Sequence, residues 1–238
     1  MNNRFLMIAP LLASSTLFLA GCSDDNSEFE TPNLSDAPTN AGLVSQKNLS
    51  ILSEDVQPPI FDPLTGTATD TSLTITVKVG DRNNQLLTDA HTVFFATEWG
   101  LIEPSCITEN GICTVTWQTS FGGPNPVNNR TTITAWTLGE ESFTDTNGNG
   151  VFDDSDTTFD DREEPFIDIN ESDSFDTGEG VIDVVNGNDP TGANGVHDIG
   201  DSLLNSPSCT HSSLCSPRTT SYIWTDIALE MDGPPTVP

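Results

Sequence analysis

Apolar and polar residues alternate without a slip from Leu73 to Val79, with Leu73, Ile75, Val77 and Val79 on one side and Thr74, Thr76 and Lys78 on the other. A period of two sorts side chains onto the two faces of an extended chain and is incompatible with an amphipathic helix. The alternation returns at Val93 and Phe95, and again at Cys113, Val115 and Trp117 between Thr114, Thr116 and Gln118. A Thr-rich run surrounds Ile133 and Ala135, and Ile223, Thr225, Ile227, Leu229 and Met231 alternate before Pro234-Pro235. Gly80-Asp81-Arg82-Asn83-Asn84, Gly100 and Asn110-Gly111 punctuate these runs with turn residues. No comparable helical periodicity appears. Short Thr/Val strands between Gly/Asn turns predict an all-β chain, an antiparallel β-sandwich.

The N-terminus reads as a processing signal. Arg4 supplies a positive end, and a mostly apolar stretch from Phe5 to Leu19 is broken by Pro10 and Ser14-Ser15-Thr16. It is too short to span a membrane and ends in small residues. Leu19-Ala20-Gly21-Cys22 resembles the bacterial lipobox, which implies removal of residues 1–21 and acylation of Cys22. Two or three acyl chains at ~0.8 kcal/mol per buried CH₂ make such an anchor stable. Ser23 after the cysteine resembles lipoproteins sorted to the outer membrane, and Asp24-Asp25 is similar to surface-export signals of some lipoproteins. Residues 22–70 are rich in Ser, Asp, Asn, Pro and Thr, interrupted only around Leu43-Val44 and Ile60-Phe61. That composition predicts a flexible tether with a reach of roughly 35–40 Å.

Charge narrows the partners. The chain of 238 residues has 7 Lys+Arg against 36 Asp+Glu, a net −29. Nucleic acid and anionic lipid surfaces need a basic face, so neither is an expected partner; the membrane is reached through Cys22 alone. Of five cysteines, the four left after Cys22 are Cys106, Cys113, Cys209 and Cys215, an even set suited to an oxidising compartment. Three pairings are open to them. Proximity in sequence favours 106–113, around the Asn110-Gly111 turn, and 209–215. Zinc is disfavoured because the spacings are not C-x₂-C and His211 has no partner in register.

The acids are concentrated. From residue 145 to 201 there are 17 Asp+Glu and one base, Arg162. A solvated charge run is the plain alternative, but the spacing carries more. Asp145, Asn147, Asn149, Gly150, Asp153 and Asp156 occupy places 1, 3, 5, 6, 9 and 12 of a calcium loop. In that pattern oxygens at 1, 3 and 5 converge, Gly at 6 permits the sharp turn, and the place-7 carbonyl of Val151 adds a ligand. Asp156 stands where a bidentate Glu is usual. Asp168, Asn170, Ser172, Asp176 and Glu179 repeat places 1, 3, 5, 9 and 12, with Asp173 in place of the glycine. A third stretch, Asn194-Gly195-Val196-His197-Asp198-Ile199-Gly200-Asp201, keeps only the latter half, because Pro190 falls at place 1. It reads as degenerate, or as a donor of one or two ligands to a neighbour. Phe152, Phe166 and Phe175 recur beside the acids as packing candidates. A flexible, all-oxygen ligand set favours calcium over magnesium. The acidic segment, about 140–216, is thus a long insertion before the last strand, in a domain spanning residues 71–232 with a short tail at 233–238. Unstructured loops that long are uncommon, so calcium and a Cys209–Cys215 clip are expected to order it.

Residues 73–139 resemble bacterial immunoglobulin-like domains of the invasin/intimin group. The resemblance is carried by Val79-Gly80-Asp81-Arg82-Asn83-Asn84-Gln85-Leu86-Leu87-Thr88-Asp89, by Val93-Phe94-Phe95-Ala96-Thr97-Glu98-Trp99-Gly100 and by Thr108-Glu109-Asn110-Gly111-Ile112-Cys113-Thr114-Val115. Leu86, where that group commonly has Pro, and the two cysteines depart from it. The whole chain is also similar to proteobacterial lipoproteins carrying G-E-E-S-F-x-D-x-N-G-N-G, here residues 139–150. These resemblances imply an immunoglobulin-like sandwich on an outer-membrane lipoprotein, with a structural or adhesive role toward a protein, glycan or matrix ligand. A non-adhesive binding subunit of an envelope assembly, or an accessory to a calcium-dependent enzyme, are the rivals. No nucleophile–base pair, His-Glu-x-x-His or phosphate-binding Gly loop accompanies His91, His197 and His211. The expectation is a non-enzymatic protein.

Overall fold

Alternating Thr and β-branched residues produce eleven strands among the described residues, with one 3₁₀ turn at Gln46–Asn48 and no α-helix. The structure is a computed structural model and describes residues 42–60, 69–119, 126, 128–185 and 194–231. The expected signal segment, Cys22, the first part of the tether and the 233–238 tail lie outside the described residues.

Two sheets enclose one core. In the first, β4 (Thr92–Thr97) lies between β6 (Ser105–Ile107) and β8 (Arg130–Glu140), and β11 (Ser221–Glu230) pairs antiparallel with β8. Short β1 (Val44–Ser45) runs parallel to the end of β8. The second sheet runs β2 (Leu49–Ser53), β3 (Ser72–Val79), β7 (Ile112–Gln118), β5 (Leu101–Ile102). Its register sets Leu73 against Trp117, Ile75 against Val115 and Val77 against Cys113, which puts all six on one face. From the first sheet Val93, Phe95, Ile133, Ala135 and Ile223 meet that face, and Ile75, Val77, Trp117 and Ile133 are fully excluded from solvent. The Trp117 indole N–H donates to the Trp99 carbonyl at 3.0 Å, so its burial leaves no orphaned donor.

The tether expected over residues 22–70 is corrected at its C-terminal end. Residues 44–53 form β1 and β2, which engage both sheets, and Val44 and Ile60 are core residues at 0% and 2% exposure. Composition hid them because each strand is short and bracketed by polar residues, whereas what decides is pairing with β3 and β8. Of the apolar residues that interrupt the supposed linker, Val44 and Ile60 are folded into the core, and Leu49–Ser53 adds a strand that composition did not single out.

Both disulfides pair as expected. Cys106–Cys113 ties β6 of the first sheet to β7 of the second, with Cα atoms 6.0 Å apart, and Cys209–Cys215 closes a loop of the insertion at 5.6 Å. Asn110 and Gly111 both take left-handed backbone, φ 51° and 76°, as the tight turn before β7 demands. A Cβ on Gly111 would fall 2.7 Å from the Val79 carbonyl, so only glycine fits there.

The insertion leaves after β8 and returns at β11, and those two strands pair continuously from Gly139–Ser221 to Arg130–Glu230. It packs on their outer face. There Thr132 Oγ1 donates to the Asp168 carbonyl at 2.7 Å and Thr134 Oγ1 to the Phe166 carbonyl at 2.8 Å. The Trp224 indole donates to the Glu163 carbonyl at 3.2 Å. Residues 131–135 of β8 are consequently buried on both faces, which is why Thr, rather than a charged residue, occupies the outward positions.

Candidate metal centre

Each acidic loop is the tip of a short hairpin. The first hairpin carries a bridge between Phe143 and Phe159, and the second consists of β9 (Phe166–Ile167) paired with β10 (Gly180–Val181). Apolar residues of these arms hold the loops in place. Phe152, fully buried, contacts Phe143 and Phe159 edge-on at 5.5 and 5.6 Å and stacks on His211 at 5.4 Å. Phe166 contacts Phe175 at 5.7 Å and Trp224 at 5.0 Å, and Phe175 stacks on His197 at 4.0 Å. The phenylalanines beside the acids are packed, as their recurrence predicts.

The two loops share one hydrogen-bond scheme, place by place. At place 1, Asp145 accepts the N–H groups of Gly148, Asn149 and Gly150 at 2.7, 3.2 and 2.6 Å. Asp168 accepts those of Ser172 and Asp173 at 3.1 and 2.8 Å. At place 3, Asn147 and Asn170 each accept the place-5 N–H at 3.0 Å. At place 9, Asp153 accepts from Asn147 and Asn149 amides at 3.3 and 2.8 Å, while Asp176 accepts from Asn170 and Ser172 side chains at 2.9 and 3.1 Å. At place 12, Asp156 accepts from Thr146 and Asp153 N–H at 2.7 and 3.1 Å, and Glu179 from Ile169 and Asp176 N–H at 3.1 and 2.8 Å. These last two carboxylates are 0% and 8% exposed. Val151, at place 7, donates its N–H to Asn149 at 2.8 Å. Asp173 does not break the second loop: Glu171 and Asp173 take φ 58° and 59°, matching Gly148 and Gly150 at 73° and 76°. An acidic residue tolerates the left-handed region at about 1–2 kcal/mol, so the missing glycine alters cost rather than shape.

The third stretch is more complete than its sequence. Asn194 donates to Asp198 at 2.6 Å and accepts the Val196 N–H at 2.6 Å, and Gly195 has φ 77°, as at places 5, 6, 7 and 9 of the other loops. Gly195 N–H donates to Asp183 at 2.5 Å, so Asp183, and not Pro190, fills place 1. Glu164 accepts the N–H groups of Val184 and Asp198 at 2.9 and 3.0 Å and thereby fills place 12. Pro190 itself lies outside the described residues.

Among the described residues, no three or more His, Cys, Asp and Glu side chains form a group able to hold a metal ion. Amide and hydroxyl donors instead face the place-9 carboxylates, and backbone N–H groups face those at places 1 and 12. The donor chemistry nevertheless fits a hard cation: every place-1, 9 and 12 side chain of the two linear loops is a carboxylate, and Asn147, Asn149 and Asn170 add amide oxygens, each with a second lone pair beside the N–H bond it accepts. Electrostatics show what such a charge would relieve. Burial, then the neighbouring Asp168 and Asp173, push the Asp226 carboxyl of β11 above its ordinary range. Burial does the same to Glu164. In the first loop the opposite holds: the Ser155 N–H and then the Asn149 amide hold Asp153 low, and the Thr146 and Asp153 N–H groups hold Asp156 low.

Glu164 and Asp183 escaped the linear loop pattern, which looks only within twelve residues. An internal repeat was the available signal: Glu141-x-Phe143-x-Asp145-x-Asn147 recurs as Glu164-x-Phe166-x-Asp168-x-Asn170, and Phe152-Asp153 as Phe175-Asp176. Comparisons with family models, curated proteins and solved structures found no match for the chain.

Proposed function

We propose that this protein is an exported, lipid-anchored outer-membrane protein. In this reading an immunoglobulin-like sandwich carries a calcium-ordered acidic module in a structural or adhesive role. The repetition of one hydrogen-bond scheme in residues 145–156 and 168–179 carries the calcium part of this reading. Asp145, Asn147, Asn149, Val151, Asp153 and Asp156, and Asp168, Asn170, Ser172, Asp176 and Glu179, are the residues that would hold the ion. Bound there, calcium supplies counter-charge to carboxylates that otherwise repel one another across a net −29 chain. The chain's own contribution is rigidity: the aromatic clusters, the Cys209–Cys215 clip and the threonine bonds from β8 fix the module to the sheet. A module held in this way presents a stiff acidic surface rather than a loose tail. Cys22 is the proposed anchor and the segment after it the proposed spacer.

An adhesive role requires exposure on the cell surface. Protease added to intact cells is expected to remove the protein, and Cys22→Ser is expected to move it from the membrane pellet to the soluble fraction. Cleavage only after the outer membrane is permeabilised would instead favour a subunit of an internal envelope assembly. A Cys22→Ser protein that still pelleted with membranes would overturn the anchor.

A further inference from the structure

We infer that Glu141, Asp161 and residues 201–205 form a further calcium site, built from three separate stretches of the chain. This rests on the calcium reading of the two linear loops. The layout is theirs, distributed over the base of the first hairpin. Asp161 accepts the Ser202 N–H at 2.7 Å, as a place-1 aspartate does, and Ser202 has the left-handed φ of 64° found at place 6. Asp201 accepts the Leu203 N–H at 2.9 Å, the place-5 to place-7 bond. Glu141 accepts the N–H groups of Arg162 and Asn205 at 2.9 and 2.8 Å, and its own N–H returns to the Asn205 carbonyl at 3.0 Å, as at place 12. Leu204, at place 8, is fully buried and is held by backbone bonds to Leu214 and Ser216 at 2.8 and 3.0 Å, on the clip closed by Cys209–Cys215.

What sets this cluster apart from the linear loops is that two of its buried polar atoms have no partner. Asn205, at place 9, is 1% exposed, and its amide nitrogen has no partner. Asp161 Oδ1 is also buried without a partner. Its carboxylate reaches so far into the 200–205 loop that a Cβ on Gly200 would lie 2.3 Å from it. Buried polar atoms left unpaired are rare and each costs about 1–3 kcal/mol. Two of them at places 1 and 9 of one loop mark a position where something polar is missing. With the Asn205 amide turned over, both orphaned atoms are oxygens, and Glu141 and Asp201 add carboxylates. Such a set suits a hard divalent cation. Glu141 agrees with this: burial first, with Asp161 and Asp201 adding to it, raises its carboxyl to about 7 against the pull of its two N–H bonds.

Places 9 of the other loops are Asp153, Asp176 and Asp198, which suggests a test by gain of affinity. Calcium bound by the full-length protein is measured by equilibrium dialysis, with melting curves in calcium and in chelator. Asn205→Asp is expected to lower the melting temperature in chelator, to increase the calcium-induced rise, and to tighten one bound equivalent about tenfold through the added carboxylate. Asp161→Asn is expected to lose one equivalent while those removed by Asp145→Ala and Asp168→Ala remain. The inference is overturned if Asn205→Asp gains no calcium-dependent stability over wild type, or if Asp161→Asn binds as many ions. Should the wild-type protein bind no calcium, the linear-loop reading falls with it. Should it bind ions lost only with Asp145→Ala and Asp168→Ala, this site alone is refuted.

Discussion

Removing calcium is expected to lower the melting temperature and to open residues 145–183 to protease, while the sandwich resists. Screening at ~0.15 M salt acts only beyond about 8 Å, so carboxylates within one loop repel one another almost unshielded. Ligand linkage gives ~2.7 kcal/mol per site at a hundredfold excess over Kd. Magnesium should substitute poorly, since it demands a tight octahedron and sheds water reluctantly. Asp145→Ala should remove most of the gain from the first loop, where that carboxylate also organises three backbone N–H groups. Asp168→Ala should remove less, because Asp168 holds two. Proteolysis and melting that are indifferent to millimolar calcium would leave the acidic run as a structural module without an ion.

Arg82→Ala should be among the most damaging single substitutions, costing about 3–5 kcal/mol in urea denaturation, because it strands a buried carboxylate. Arg82, in the turn after β3, makes a two-pronged pair with Glu140 at the end of β8, and Glu140 is 1% exposed. The same guanidinium donates to the Gly150 carbonyl at 3.0 Å and to Ser206 at 2.8 Å, and lies over Phe143 at 5.2 Å. One side chain therefore joins the sandwich to the first acidic loop and to the stretch leading into the clip. Replacing Arg82 and Glu140 together by Met should recover much of the loss, since an apolar pair leaves no buried charge. Equal damage from the double and single variants would mean that the contacts to Gly150 and Ser206 carry the effect.

The strands were legible where alternation ran for several residues, as in β3 and β7, because one buried face dictates period two. They were illegible at β1 and β2, where two to five residues derive their state from partners far along the chain. The same contrast governs the acidic module. Places 1, 3, 5, 9 and 12 of two loops were readable because all five positions fall within twelve residues. Glu164 and Asp183 were not, because backbone pairing of the hairpins, rather than sequence spacing, brings them to the third loop. Nor did spacing reveal the packing of the module on β8, although the polar but uncharged Thr132 and Thr134 were a sign of a face that would be covered.

Calorimetric titration of the calcium-stripped protein decides whether residues 145–156 and 168–179 are calcium loops. Saturable binding with at least two equivalents is expected, reduced by Asp145→Ala and by Asp168→Ala and abolished at those loops in the double variant. Absence of binding heat at millimolar calcium, at more than one temperature, would contradict it.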